Sequence, residues 1–205
     1  MNYDKLATKE SVEKTIKALG SKNIEAVIVN NGAEALEKIK EFIPQGSSVM
    51  NGASVTLEQI GFVDYLAAGK HGWNNLHDNI LAEKDKTRQA VLRKQAVLSD
   101  YYLGSVHALA ETGEFVIASA SGSQLPHIVF TSQNLIFVVS TKKIMPTLAD
   151  AMNRLEEYVV PLEDKHMQEK YGMGTSLNKI VTFKNENPMS GRKVRMILVN
   201  ENLGF

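Results

Sequence analysis

Leu135-Ile136-Phe137-Val138-Val139 is the strongest strand signal in the chain. Ala26-Val27-Ile28-Val29 is a second continuous apolar run. Runs of this kind suit strands buried on both faces, as in parallel sheets. Helical patterns flank the second run. Val12, Ile16 and Leu19 repeat at helical spacing, so residues 4–19 read as an amphipathic helix closed by Gly20. After the turn Asn30-Asn31-Gly32, residues Ala35, Leu36, Ile39, Phe42 and Ile43 mark another helix, stopped by Pro44. Strands alternating with helices predict an α/β domain, a parallel or mixed sheet with helices on both faces.

The rest of the chain extends this pattern. Ser48-Val49-Met50 reads as a strand, followed by the small-residue loop Asn51-Gly52-Ala53-Ser54 and a helix starting near Ser54. Strand, loop and helix start can form an anion-binding arrangement. The plainer alternative is a tight turn capped by Ser54 or Thr56. Residues 62–82 resist assignment; Trp73 reads as a packing anchor, and His71 and His77 as surface or capping residues. Their spacing with Asp64 and Asp78 matches no metal motif, so no metal site is expected.

Residues 86–98 form a basic helix with Ala90, Val91, Val97 and Leu98 toward its buried side. Tyr101–Glu111 and Glu114–Ala118 read as strands around the Thr112-Gly113 turn. Between Ser123 and Asn134 helix and extended chain remain alternatives. A helix from Thr147 to Tyr158 is expected to end at Pro161, followed by a surface excursion over 162–178. Ile180–Phe183 and Val194–Val199 complete the strands, joined by the polar loop Lys184–Lys193.

Composition removes several function classes. The chain has 205 residues, the size of one domain, and 43% apolar content supports a substantial core. Lys+Arg and Asp+Glu both number 23, so no bulk charge favours nucleic acid. There is no cysteine, hence no thiol nucleophile and no cysteine ligand for zinc or iron–sulfur clusters. GxGxxG is missing after the first strand and GxxxxGK[ST] is missing throughout, so nicotinamide, flavin and P-loop nucleotide binding are not expected. The opening residues carry no signal-like apolar region, and no run reaches the roughly 20 residues of a membrane span. The expectation is a cytoplasmic protein with no cofactor of its own.

The candidate site centres on His107–Ser140. Glu111-Thr112-Gly113 places a carboxylate beside a turn, and Ser119-Ala120-Ser121-Gly122-Ser123 is a small polar loop. Gly52 and Gly122 allow close backbone approach to a ligand. Ser119, Ser121 and Ser123 offer hydroxyls for anionic oxygens, and His127 offers a general base or an anion contact. The plain readings are a surface strand end at Glu111, a satisfied polar loop and a structural histidine.

The stretch before Glu111-Thr112-Gly113, the Gly122 loop, VVSTKKIMPTLADAMNRL at 138–155 and the ending ILVNENLGF together resemble the LUD family, the LutC/YkgG-type lactate-utilisation proteins. The resemblance runs from about Thr8 to Gly204 and treats residues 1–205 as one LUD-type domain. It implies a three-layer α/β/α fold of the NagB/RpiA/CoA-transferase type. It also implies a part in oxidation of L-lactate to pyruvate beside separate iron–sulfur subunits.

Two function classes follow. One is an accessory or ligand-binding subunit that takes a small anion or a partner, with homo-oligomerisation left open. The other is an enzyme of the CoA-transferase or sugar-phosphate-isomerase type. In such transferases a glutamate of Glu-Asn-Gly is the nucleophile, and Glu111-Thr112-Gly113 is similar. Glu111 and His127 are then the catalytic candidates. Asn51, Gly52, Ser54, Thr112, Gly113, Ser119, Ser121, Gly122, Ser123 and Arg195 are the candidate ligand contacts.

Overall fold

A computed structural model describes all residues, Met1–Phe205. In chain order the elements are α1 (Lys9–Ser21), β1 (Ile24–Val29), α2 (Gly32–Phe42), β2 (Ser48–Asn51), α3 (Val55–Gln59), α4 (Phe62–Ala67), β3 (Asn74–Asn75), α5 (Leu76–Ala82) and α6 (Lys86–Gln95). Then come β4 (Tyr101–Gly104), β5 (Ala108–Ala110), β6 (Phe115–Ser119), β7 (Asn134–Ser140), β8 (Ile144–Met145), α7 (Leu148–Arg154), α8 (Val160–Tyr171), β9 (Lys179–Phe183) and β10 (Lys193–Val199).

The main sheet is parallel throughout, in the order β1-β10-β7-β4-β2-β3. Strand periodicity divides its side chains between two cores. On β7, Ile136 and Val138 join α2, α3 and α4 on one face, while Leu135, Phe137 and Val139 meet α1 on the other. β10 sends Ile197 and Val199 to the first core and Val194, Met196 and Leu198 to the second. Helices on both faces give the three-layer α/β/α arrangement. Beside α1 lies a smaller sheet, β8-β5-β6-β9, mixed in direction. Its outer face packs on α7 through Ala108, Val116, Ala118, Met145, Ala151 and Leu155.

Several sequence expectations are corrected. β1 is an edge strand, paired only with β10, and Ile28 is 50% exposed. α1 starts at Lys9 because Thr8 Oγ1 accepts from the Ser11 amide at 3.2 Å and caps it. The stretch Tyr101–Glu111 is two strands in different sheets: β4 in the main sheet and β5 in the small one. Ser105-Val106-His107 carries the chain between them. α6 buries none of its residues, and Val91 and Leu98 are exposed. Ala96, just beyond it, is the buried position.

Pro161 does not end the helix that begins at Leu148. A π-helical turn, Leu155–Val159, joins α7 to α8, and Pro161, which has no N–H to give to a regular α-turn, follows directly on this irregular turn. The stretch 162–178 is therefore largely helix, at the surface. The ambiguous segment before β7 contains another π-helical turn, His127–Thr131. Trp73 is buried and donates to the Ile43 carbonyl at 3.1 Å. His71, expected near the surface, is buried and stacked on Trp73. No helix is long and apolar enough to cross a membrane.

Candidate functional site

The principal cleft, about 420 Å³, opens at the C-terminal ends of β2, β4 and β7. Open α/β sheets bind ligands at this end of their strands. β2 leads into Gly52, β4 into Ser105 and Val106, and β7 into the 3-10 turn Thr141–Lys143. The opposite wall comes from Ala118–Ser121 at the end of β6, the π-helical turn with α8, and residues 175–177.

Lys143 is the distinctive group in this cleft. Its side chain is 4% exposed, yet it has no carboxylate partner. Nζ lies 3.1 Å from Thr56 Oγ1, 3.1 Å from Ser105 Oγ and 3.2 Å from the Val106 carbonyl. Burial pushes its pKa well below the lysine range, and the Arg154 and Lys142 charges push the same way. Lys142 is neutralised by Asp4 at 2.8 Å, but Arg154 is not paired with a carboxylate. Arg154 is fully buried; Nη1 donates to the His107 carbonyl, while Nε and Nη2 make no hydrogen bond. The floor of the cleft is thus backed by more cation than anion.

His107 also lines the cleft. Its Nδ1 accepts from the Ala118 amide at 3.1 Å, which requires an unprotonated Nδ1. Burial, with Lys143 and Arg154 nearby, lowers its pKa to about 3, so it stays neutral. On the outer wall, burial raises the Glu163 carboxyl above its ordinary value.

Two glycines make room for these contacts. A Cβ on Gly52 would strike the Tyr102 hydroxyl and approach Gln124 Oε1 to 2.9 Å. Gly204 sits at φ +65°, and a Cβ there would fall on Thr56 Oγ1 and within 3.0 Å of Lys143 Nζ.

The predicted site residues divide into two groups. Gly52, Ser54, Ser119, Ser121 and Ser123 line the cleft. Ser54 also caps α3 by accepting from the Leu57 amide at 3.3 Å. Ser119 Oγ accepts from the Gly122 amide at 2.9 Å, and Ser121 donates to Ser123 at 3.1 Å. Gly122 shapes this loop from φ +85°, and Asn51 precedes Gly52 with its own Oδ1 buried and unpartnered.

The other candidates lie elsewhere. Glu111 accepts from Lys14 Nζ and Ser11 Oγ, both at 2.7 Å, on the flank of α1. Those hydrogen bonds hold its carboxyl below the usual range. Thr112 and Gly113 form the β5–β6 turn, and the space a Cβ would need at Gly113 is filled by Lys22 and α1. His127 is stacked on Tyr102 at 4.6 Å and hydrogen-bonded by Ser99 and Ser132; burial lowers its pKa to about 4. Arg195 pairs with Glu25 at 2.8 Å and lies over Phe42. None of these four groups lines the cleft.

Sequence reasoning passed over Lys143, Ser105 and His107. The available signal was Lys142-Lys143 set between the strongest apolar run and Ile144-Met145. Lysines in that setting are either solvated or buried for a reason.

Comparisons with known proteins place the chain. Among curated proteins none matches its sequence. Among solved structures it is similar to a crystal structure of a DUF162 family protein from Deinococcus radiodurans, with TM-score 0.58 at 10% identity, over 96% of this chain and 100% of that one. At that identity the likeness speaks for the fold alone. The LUD domain model matches residues 12–182, most of the length and nearly every element that builds the cleft, and the chain therefore belongs to the LUD domain family.

Proposed function

We propose that this chain is a lactate-utilisation-associated protein whose cleft binds a small carboxylate, and that it serves as an accessory or ligand-binding subunit in oxidation of L-lactate to pyruvate. Membership of the LUD family supports the association with lactate utilisation. The observation that carries the binding role is Lys143: a buried amino group held only by hydroxyls and a carbonyl, in a cleft at the strand ends. An isolated buried charge is costly, and a bound carboxylate is its natural complement. The serine loop and the Gly52 backbone supply further polar groups around such a ligand.

The alternative, a CoA transferase using Glu111 as acyl acceptor, gains nothing from the geometry. Such a nucleophile needs a free, partly desolvated carboxylate facing the substrate. Glu111 is held by Lys14 and Ser11 outside the cleft.

Iron–sulfur proteins are the proposed partners, as the likeness to lactate-utilisation proteins implies; this chain, without cysteine, has no thiolates with which to hold a cluster itself. Titration calorimetry with L-lactate and pyruvate tests the binding role. Saturable binding that disappears in Lys143→Met supports it; equal binding by both proteins, or none by either, rejects it. Co-purification with iron–sulfur proteins from cells growing on lactate tests the subunit role.

A further inference from the structure

The cleft is built for more than a three-carbon acid. At about 420 Å³ it falls in the range of sites that take drug-sized ligands. Polar and apolar residues both line it. Lys143, Thr56 and Ser105 gather at the strand ends. The cleft is also lined by Leu155, Val159, Val160, Met167, Leu177 and Phe205, with Glu163, His166 and Lys170 interleaved on α8.

This apolar lining follows from the helix irregularity. The π-helical turn places Leu155 and Val159 on the small sheet's outer core, and α8 continues the same surface past Val160 to Met167. π-helical turns recur at functional sites. Phe205 also lines the cleft, directly after Gly204, whose bare backbone lies against Lys143. Met167, Leu177 and Phe205 are only partly buried, so apolar area remains for a ligand to cover.

We infer that the cleft selects amphipathic monocarboxylates: the carboxylate sits at Lys143, and an aliphatic or aromatic tail lies along the wall formed by the π-helical turn, α8 and Phe205. The inference rests on the anion-binding reading and adds the substrate class. It places L-lactate at the small end of the range and 2-hydroxy or 2-oxo acids with longer side chains nearer the optimum. Each methylene laid against the wall is worth about 0.8 kcal/mol, or about fourfold in affinity.

The test is calorimetric titration of the full chain with L-lactate, 2-hydroxybutyrate, 2-hydroxyhexanoate, 2-hydroxyoctanoate and 3-phenyllactate. Affinity is expected to rise severalfold per added methylene until the wall is covered, with phenyllactate among the tight ligands. Met167→Glu, a change at a half-buried position of the wall, is expected to flatten that rise. Lys143→Met is expected to abolish binding of the whole series. Affinity that stays flat or falls with chain length, with Lys143-dependent L-lactate binding intact, overturns this inference and spares the anion site. An unaltered rise in Met167→Glu likewise removes the tail from this wall. Failure of every acid to bind removes both.

Discussion

Lys143 Nζ and Thr56 Oγ1, 3.1 Å apart, tie the turn after β7 to the first turn of α3. That bond spans the mouth of the main sheet and fixes where the buried amino group sits. It also explains why Gly204, pressed against both groups, has no side chain.

Replacing Lys143 by Met separates stability from binding. Met keeps an unbranched stem and removes a buried amino group without a carboxylate partner. Replacing buried ionic groups by apolar ones of similar volume is often neutral or stabilising. The melting temperature of Lys143→Met is expected to stay level or rise by a few degrees while carboxylate binding is lost.

Binding is expected to take up protons. Burial, with Arg154 and Lys142 adding to it, disfavours the charged form of Lys143, and a carboxylate ligand favours it. Affinity should therefore weaken as pH rises through the lowered Lys143 pKa. Calorimetry in buffers of different ionisation enthalpy checks this. Net proton uptake is expected in wild type, and heats that do not vary with buffer would contradict it.

His107 and His127 make the fold acid-sensitive. Their folded pKa values, about 3 and about 4, lie below the ordinary 6.5. A base with a depressed folded pKa lets the unfolded chain bind the proton first. Its contribution is thus present above pH 6.5 and lost as pH falls toward the folded value. At pH 5 the loss is about 2 kcal/mol for each histidine. Urea unfolding across pH 7 to 5 should show this, with a shallower slope in His127→Gln.

Gly204→Ala should damage the cleft from the chain's far end. The left-handed φ of +65° and the overlap with Thr56 combine strain with a steric clash. A cost of roughly 1–2 kcal/mol is expected, together with weaker carboxylate binding. Chemical denaturation and calorimetry on the same variant would read both.

Glu111→Gln is expected to be nearly silent. Its partner Lys14 is 60% exposed, and ion pairs of this kind contribute about 0–1 kcal/mol. A large loss of ligand affinity in this variant would return Glu111 to the site.

Much of this fold was legible in the residues. β7 and the Met196–Val199 part of β10 are continuous apolar runs because each strand is paired on both sides and covered on both faces there. The same signature misplaced β1, since a run of apolar residues does not report lateral position in a sheet. Tyr101–Glu111 looked like one strand because β4 and β5 are apolar alike, and only the tertiary path separates them. At the site, the Gly52 and serine loops were readable from small residues between strands. Glu111 misled because its location depends on the β5–β6 hairpin docking on α1. Lys143 went unseen because burial of a lysine is a property of the assembled fold.

The most direct measurement is a crystal structure of the chain soaked with L-lactate. The expected result is a carboxylate within hydrogen-bond distance of Lys143 Nζ, between the Thr56–Ser105 side and the Phe205 wall. A lactate bound at full occupancy elsewhere on the chain, with Lys143 still held only by Thr56, Ser105 and Val106, would contradict the assignment.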